Sequence, residues 1–220
     1  MSSKYKIAVV RVATLEDKER LNLHGKFIEK YCPNIITESY CIQDQHNGVH
    51  DDISHETATK KIVNLVKQIH HGYKGIVISC AGDPAVECLK KEMHIPVIGA
   101  GHSVASLSLN FGEKIGVLGI RQEAPEAVKK ILGNKLIKSI KPEKVDNTND
   151  LLTDEGKQGV IEAAYTLQKA GADAIVLACT GMSTIGIAKL LNESLEIPVI
   201  DPVYAEAFLI NSLCNYKKFF

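Results

Sequence analysis

The chain repeats itself once, and this constrains its architecture more than any other feature. The segment GYKGIVISCAGDPAVECLKKEMHIPVIGAGHSVAS aligns with GADAIVLACTGMSTIGIAKLLNESLEIPVIDPVYAEA. Gly72 falls on Gly171 and Cys80 on Cys179 without a gap. After a three-residue insertion, Ile95-Pro96-Val97-Ile98 falls on Ile197-Pro198-Val199-Ile200. Upstream, Lys6-Ile7-Ala8-Val9-Val10 resembles Lys114-Ile115-Gly116-Val117-Leu118. A period near half of 220 residues is too long for a solenoid. The reading is two related lobes, residues 1–111 carrying Cys80 and 112–220 carrying Cys179. The first strand and last helix of each half look truncated or exchanged, which leaves the C-terminal helix free to pack back on the first lobe.

Each half alternates short β-branched runs with segments of helical period. Strands are predicted at 6–12, 35–42, 75–80 and 97–98, then at 114–120, 136–140, 174–179 and 199–200. Ile62, Leu65, Val66 and Ile69 form an i, i+3, i+4, i+7 stripe. Val160, Ala164 and Leu167 mark a second helix, entered from Thr153 as N-cap. Such alternation predicts an α/β fold with mainly parallel sheets. The central strands are apolar on both faces, as sheets covered on both sides require.

Cys80 and Cys179 each close a predicted strand and are followed by a small residue and a glycine, Ala81-Gly82 and Thr180-Gly181. Asp83 with Pro84 then reads as N-cap and N1 of a helix, and Ser183 or Thr184 as the cap of its counterpart. Ligands of open α/β sheets bind beyond the carboxyl ends of the strands. Both thiols are therefore expected at a ligand-binding edge, each near a helix N-terminus that favours thiolate. Two thiols facing one pocket suit inversion at a carbon next to a carbonyl: one removes a proton, and the other returns one to the opposite face. Backbone donors in the glycine loops would hold the enolate-like charge. The other cysteines, Cys32, Cys41, Cys88 and Cys214, read as small core residues.

Lys+Arg and Asp+Glu both count 26, and aromatic residues make up 5% with no Trp, so neither a nucleic-acid groove nor a base-stacking platform is indicated. No apolar run reaches membrane-spanning length, and the N-terminus has no signal-peptide pattern; a cytoplasmic protein with reduced thiols is expected. A homo-oligomer is expected, a twofold dimer being the simplest form.

SCAGDPAVE resembles the C-x-G-D-P block, and ACTGM the G-C-x-G-M block, of the aspartate/glutamate racemase superfamily, in its hydantoin/allantoin racemase-like branch. With IPVIGAG and IPVIDP the resemblance spans nearly the whole chain. It implies a racemase without cofactor or metal, built of two pseudo-symmetric Rossmann-like lobes around a cleft, acting on a small molecule. Cys80 and Cys179 would be its acid/base pair, and the loops Ala81-Gly82-Asp83 and Thr180-Gly181-Met182 would hold a carboxylate or ring carbonyls. Where hydantoin racemases usually carry an Asn-Pro-Asn-like stretch after the first strand, this chain has Arg11-Val12-Ala13-Thr14. Gly119-Ile120-Arg121 stands where a threonine-rich end is expected. The resemblance thus speaks to the chemistry more than to a named substrate.

Arg11 and Arg121 occupy matching strand ends, either to pair with a carboxylate or as surface charges. His102 follows the Gly99-Ala100-Gly101 turn at the sheet's ligand edge and is a further candidate to line the site. These glycines do not make G-x-G-x-x-G, so no dinucleotide is proposed. HNGVHDDISHE matches no metal motif and reads as a polar loop, or as a lid over the cleft. KPEKVDNTNDLLTDEGK reads as a polar connector. Two alternatives stay open: a related isomerase or decarboxylase using one cysteine, and a two-lobed binder without turnover. Slow alkylation of both thiols at neutral pH would favour the binder.

Overall fold

A computed structural model of the chain describes residues 4–216. The first half runs β1 (Tyr5–Arg11), α1 (Lys18–Tyr31), β2 (Ile35–Cys41), α2 (Asp52–Ile69), β3 (Gly75–Ser79), α3 (Val86–Glu92), β4 (Val97–Gly99) and α4 (Ala100–Ser108). The second runs β5 (Ile115–Leu118), α5 (Glu126–Leu132), β6 (Leu136–Ile140), α6 (Asp154–Lys169), β7 (Ala174–Leu177), α7 (Thr180–Thr184), α8 (Ile187–Ser194), β8 (Val199–Ile200) and α9 (Pro202–Asn215). Two four-stranded parallel sheets result, ordered β2-β1-β3-β4 and β6-β5-β7-β8. The order is the same in both, as the repeat predicts. None of the described helices is long and apolar enough to cross a membrane.

Each sheet is covered on both faces, which explains its apolar strands. On the first sheet, Val10, Ile76 and Ile78 pack against Ile62 and Val66 of α2 and Leu89 of α3. On its other face Ile7, Val9 and Val77 meet Ile28 of α1 and Val203, Ala207 and Ile210 of α9. On the second sheet, Leu118, Ile175 and Leu177 pack against Val160, Ala164 and Leu167 of α6 and Leu191 of α8. Its other face meets Val128 and Leu132 of α5 and, from the first half of the chain, Val104 and Ala105 of α4. The lobes therefore exchange helices: α4 covers the second sheet and α9 the first. Val203 and Ile210 are fully buried. Burial of a large aliphatic side chain contributes about 2 kcal/mol, so removing α9 would cost the first lobe several kcal/mol.

The strands stop short of the cysteines. β3 ends at Ser79 and β7 at Leu177, against the predicted ends at 80 and 179. The N–H of Cys80 turns back to Ile78 O, at 2.8 Å, and the chain leaves the sheet there. The helix predicted from Asp83-Pro84 does not form at that point. Asp83 (φ 50°) and Ala85 (φ 65°) are left-handed, and α3 starts only at Val86. Asp83 caps another helix instead: its carboxylate accepts from the N–H groups of Gly101 and His102 at the start of α4, both at 2.7 Å. The second half has a counterpart with the roles reversed. Asp201 caps α9, and Ser183 reaches it from the cysteine loop, donating at 2.9 Å. Ser183 and Thr184 lie inside α7 and cap nothing, because that helix starts directly after Cys179. In both halves a carboxylate thus ties the cysteine loop to an exchanged helix.

The polar segments also differ from expectation. Asp51 caps α2 in a capping box with Ser54, so His55 and Glu56 are helical rather than in a loop. The connector 141–153 is anchored by the fully buried side chains of Val145 and Leu151, and Thr153 caps α6 as predicted, accepting from Gly156 N at 3.0 Å.

Candidate active site between the lobes

β3 and β7 are inner strands of their sheets, and just beyond their carboxyl ends Cys80 and Cys179 line one cavity of about 40 Å³. Its walls are largely apolar, with Val12 and Val49 from the first lobe and Ile120, Pro125 and Ala178 from the second. The hydroxyl of Thr180 donates to the Ser79 carbonyl at 3.1 Å, joining the residues next to the two cysteines across the lobes. Further out, the Thr148 hydroxyl donates to Asn47 O at 3.2 Å and the Asn149 amide to His46 O at 3.3 Å. Arg121 pairs with Asp52 at 2.5 Å. Cys80 is 7% and Cys179 6% exposed.

Burial dominates the electrostatics of both thiols. It pushes Cys80 well above the ordinary thiol value, against a lowering contribution from the Gly82 N–H. It pushes Cys179 up to about 11, against the N–H groups of Gly181 and Met182 and the positive charge of Arg11. At Cys179 the N–H groups of the first turn of α7 do favour thiolate, as expected, but burial outweighs them. At Cys80 the expected helix is missing, since α3 begins only at Val86, too far on to serve it. Alkylation of both thiols by iodoacetamide in the native protein is expected to be slow at pH 7 and to rise about tenfold per pH unit toward pH 10. Peptide mass spectrometry would read this against the half-buried Cys41 and Cys88 as internal controls. Rapid labelling of Cys179 at pH 7 would contradict it. Slow alkylation consequently no longer separates an enzyme from a binder, since closure alone produces it.

Most of the expected contacts gather at the cleft. Ala81, Gly82, Thr180 and Arg121 line the thiol cavity. Arg11 and Gly181 line a larger adjoining chamber. Arg11 is not a surface charge: it is 8% exposed and donates through Nη1 to the α1 carbonyls of Arg20 (2.9 Å) and Leu21 (3.4 Å). Three expected contacts lie elsewhere. The Asp83 carboxylate is held by α4, the Met182 side chain is fully buried in the second-lobe core, and His102 lines neither space. His102 offers its N–H to Asp83, and its ring is pushed below its ordinary pKa mainly by burial.

Sequence reasoning missed the support beneath the cleft. The Ser79 hydroxyl donates to Glu206 Oε2 at 2.9 Å and lies 2.9 Å from His24 Nδ1. His24 Nε2 is 2.9 Å from the Thr184 hydroxyl in the other lobe. His24 and Glu206 are fully buried, which drives His24 well below and Glu206 well above their ordinary values. One signal existed for Glu206: a single carboxylate in the otherwise apolar run PVYAEAFLI. Nothing marks His24, which stands between Leu23 and Gly25 in LNLHGKF.

The chain also matches known proteins in sequence and in fold. A family model described as Asp/Glu/hydantoin racemase matches residues 27–209. A hydantoin racemase of Paenarthrobacter aurescens is 30% identical over 146 residues, 62% of this chain. The match spans 60% of that relative's length. An allantoin racemase from Klebsiella pneumoniae superposes with a TM-score of 0.81 at 20% identity, covering 97% of this chain and 89% of the other. An allantoin racemase from Pseudomonas fluorescens gives 0.74 at 16% identity, covering 96% and 92%. At these identities the superpositions speak to the fold.

Proposed function

Since the chain belongs to the Asp/Glu/hydantoin racemase family, we propose that it inverts the stereocentre of a hydantoin-like cyclic amide by proton transfer between Cys80 and Cys179. The observation that carries this reading is the pair of repeat-related cysteines on one closed cavity between the lobes. The thiolate of one removes the proton from the carbon beside the carbonyl. The electron pair moves onto the carbonyl oxygen, and the thiol of the other delivers a proton to the opposite face. The bond to the first proton breaks, the bond to the second forms, and the two sulfurs exchange protonation states. No electron leaves the substrate, so the step needs no redox group. A high thiol pKa suits this task, because a more basic thiolate has a greater driving force toward a weak carbon acid. The N–H groups of Gly82 and Gly181, beside the sulfurs, are the donors available for the developing negative charge.

The largely apolar walls favour a neutral ring over a free amino acid. An α-ammonium and an α-carboxylate would both be desolvated there, at a cost of several kcal/mol per unpaired ion. A ring amide needs only hydrogen bonds. The sequence lobes, 1–111 and 112–220, would separate to admit it, with the α4–α9 exchange as the coupling between them.

The test is hydrogen–deuterium exchange at the stereocentre, followed by NMR in deuterated buffer across substituted hydantoins, allantoin, aspartate and glutamate. Cyclic amides are expected to exchange at least about 100-fold faster than the amino acids. Exchange confined to aspartate or glutamate would overturn the choice of substrate. Decarboxylation that survives loss of either one of the thiols would support the single-cysteine alternative.

A further inference from the structure

Two polar struts cross the interior between the cysteine segments. One is the Thr180 hydroxyl, which donates to the Ser79 carbonyl at 3.1 Å. The other is His24 of α1. Its Nδ1 lies 2.9 Å from the hydroxyl of Ser79, the residue before Cys80. Its Nε2 lies 2.9 Å from the hydroxyl of Thr184, on the short helix that starts directly after Cys179. Glu206 of α9 accepts from the same Ser79 hydroxyl on its other side, at 2.9 Å. The links at the rim are of another kind. Thr148–Asn47, Asn149–His46 and Arg121–Asp52 join exposed or half-buried groups, whereas His24 is fully buried.

A buried imidazole carries a desolvation cost that an apolar side chain of the same size would not. Two hydrogen bonds offset that cost, and both end beside the cysteines. An apolar residue would fill the space but supply no direction. Bonds at both ring nitrogens fix how far Ser79 stands from Thr184. The ring is also rigidly mounted. α1 packs so closely on β2 that a Cβ at Gly25, the next residue, would collide with the Thr37 hydroxyl. His24 lines neither the thiol cavity nor the chamber beside it, so it acts on a bound molecule only through the residues it holds.

Inversion by two thiols is sensitive to such a distance. Both sulfurs must reach one carbon from opposite faces, and a misplacement of about 1 Å costs up to about 100-fold. Exchange on a single face needs only one sulfur. On the racemase reading above, we propose that His24 is a positioning residue that sets the span between Cys80 and Cys179 by holding Ser79 and Thr184 at once.

The experiment severs one end of the strut at a time. The amide of His24→Asn falls where Nδ1 stood, and that of His24→Gln where Nε2 stood. The first keeps the Ser79 link and the second the Thr184 link. Thr184→Val removes the outer link at a half-buried position, where the fold tolerates it best. In deuterated buffer each variant is expected to lose inversion by about 10- to 100-fold, with KM within about threefold of the parent. The share of exchange that occurs with retention is expected to rise at least about fivefold. A lower melting temperature alone leaves that share unchanged. The span is also read without turnover, with 1,3-dibromoacetone at about pH 9. Each thiolate displaces one bromide, and peptide mass spectrometry measures the Cys80–Cys179 bridge. Its yield is expected to fall at least about threefold in each variant, with singly alkylated thiols in its place. An unchanged share of retention in variants that racemise, unchanged bridging in all three, or no bridge in the parent would overturn the proposal. Reduced bridging in variants of a parent that exchanges no substrate would support the span and overturn the racemase reading alone.

Discussion

Replacing either Cys80 or Cys179 by serine is expected to lower the racemisation rate by about 10³-fold or more, with the two single losses similar in size and the double variant little worse than either. The reason lies in what each direction requires. Inversion needs a base on one face of the carbon and an acid on the other. A hydroxyl can fill neither role as a thiol does, since serine is far less acidic and its anion is not formed near neutral pH. Because the roles swap between enantiomers, removing one thiol damages both directions. The substitution is close to isosteric, and Ala81, Gly82, Thr180 and Gly181 around the sulfurs are small or glycine. Both variants should therefore melt within about 2 kcal/mol of the parent. Polarimetry with a thermal melt on the same samples separates lost chemistry from lost fold. A variant that kept more than a tenth of the parent rate would show that its cysteine is dispensable.

The second large effect concerns the loop that positions Cys80. Gly101→Ala is expected to destabilise the protein by about 3 kcal/mol or more and to depress activity together with it. A Cβ on Gly101 would stand 2.1 Å from the Ala81 carbonyl oxygen. The neighbour is backbone and belongs to the cysteine loop, so no side-chain rotation relieves the clash. The start of α4 must move, or Ala81 must move and take Cys80 with it. Either shift strains the two N–H bonds to Asp83, whose carboxyl is buried and pushed up to about 7. Urea denaturation measures the loss. A substituted protein with unchanged midpoint would show that the α4–loop contact is loose.

What could be read from residues alone follows from how local each feature is. Strand order repeats because 6–10 and 114–118, like 75–80 and 174–179, are the same apolar runs in the same succession, and parallel strands are found by their apolar pattern. The meeting of Cys80 and Cys179 was legible for the same reason: their places in the repeat match, and ligand sites of such sheets lie beyond the strand ends. The helix exchange was visible only as an irregularity, because the apolar faces of α4 and α9 do not specify which sheet they cover. Asp83 reads as a local cap, since Asp-Pro is a common helix start; its true partners lie in α4, 18 and 19 residues on. The thiol pKa direction depends on how deeply the sulfurs are buried, which no local pattern around Cys80 or Cys179 reveals. His24 and Glu206 gain meaning only through Ser79, which stands between them.

The central claim is that the two thiols serve opposite faces of one carbon, and exchange on separated enantiomers tests it most directly. In deuterated buffer, each enantiomer of an accepted substrate is offered in turn to Cys80→Ala and to Cys179→Ala. The thiol that remains can still remove and return a proton on its own face. Cys80→Ala is therefore expected to exchange one enantiomer without inverting it, and Cys179→Ala the other. If both variants exchange the same enantiomer, or either one still racemises, the two thiols do not flank the stereocentre and the account fails.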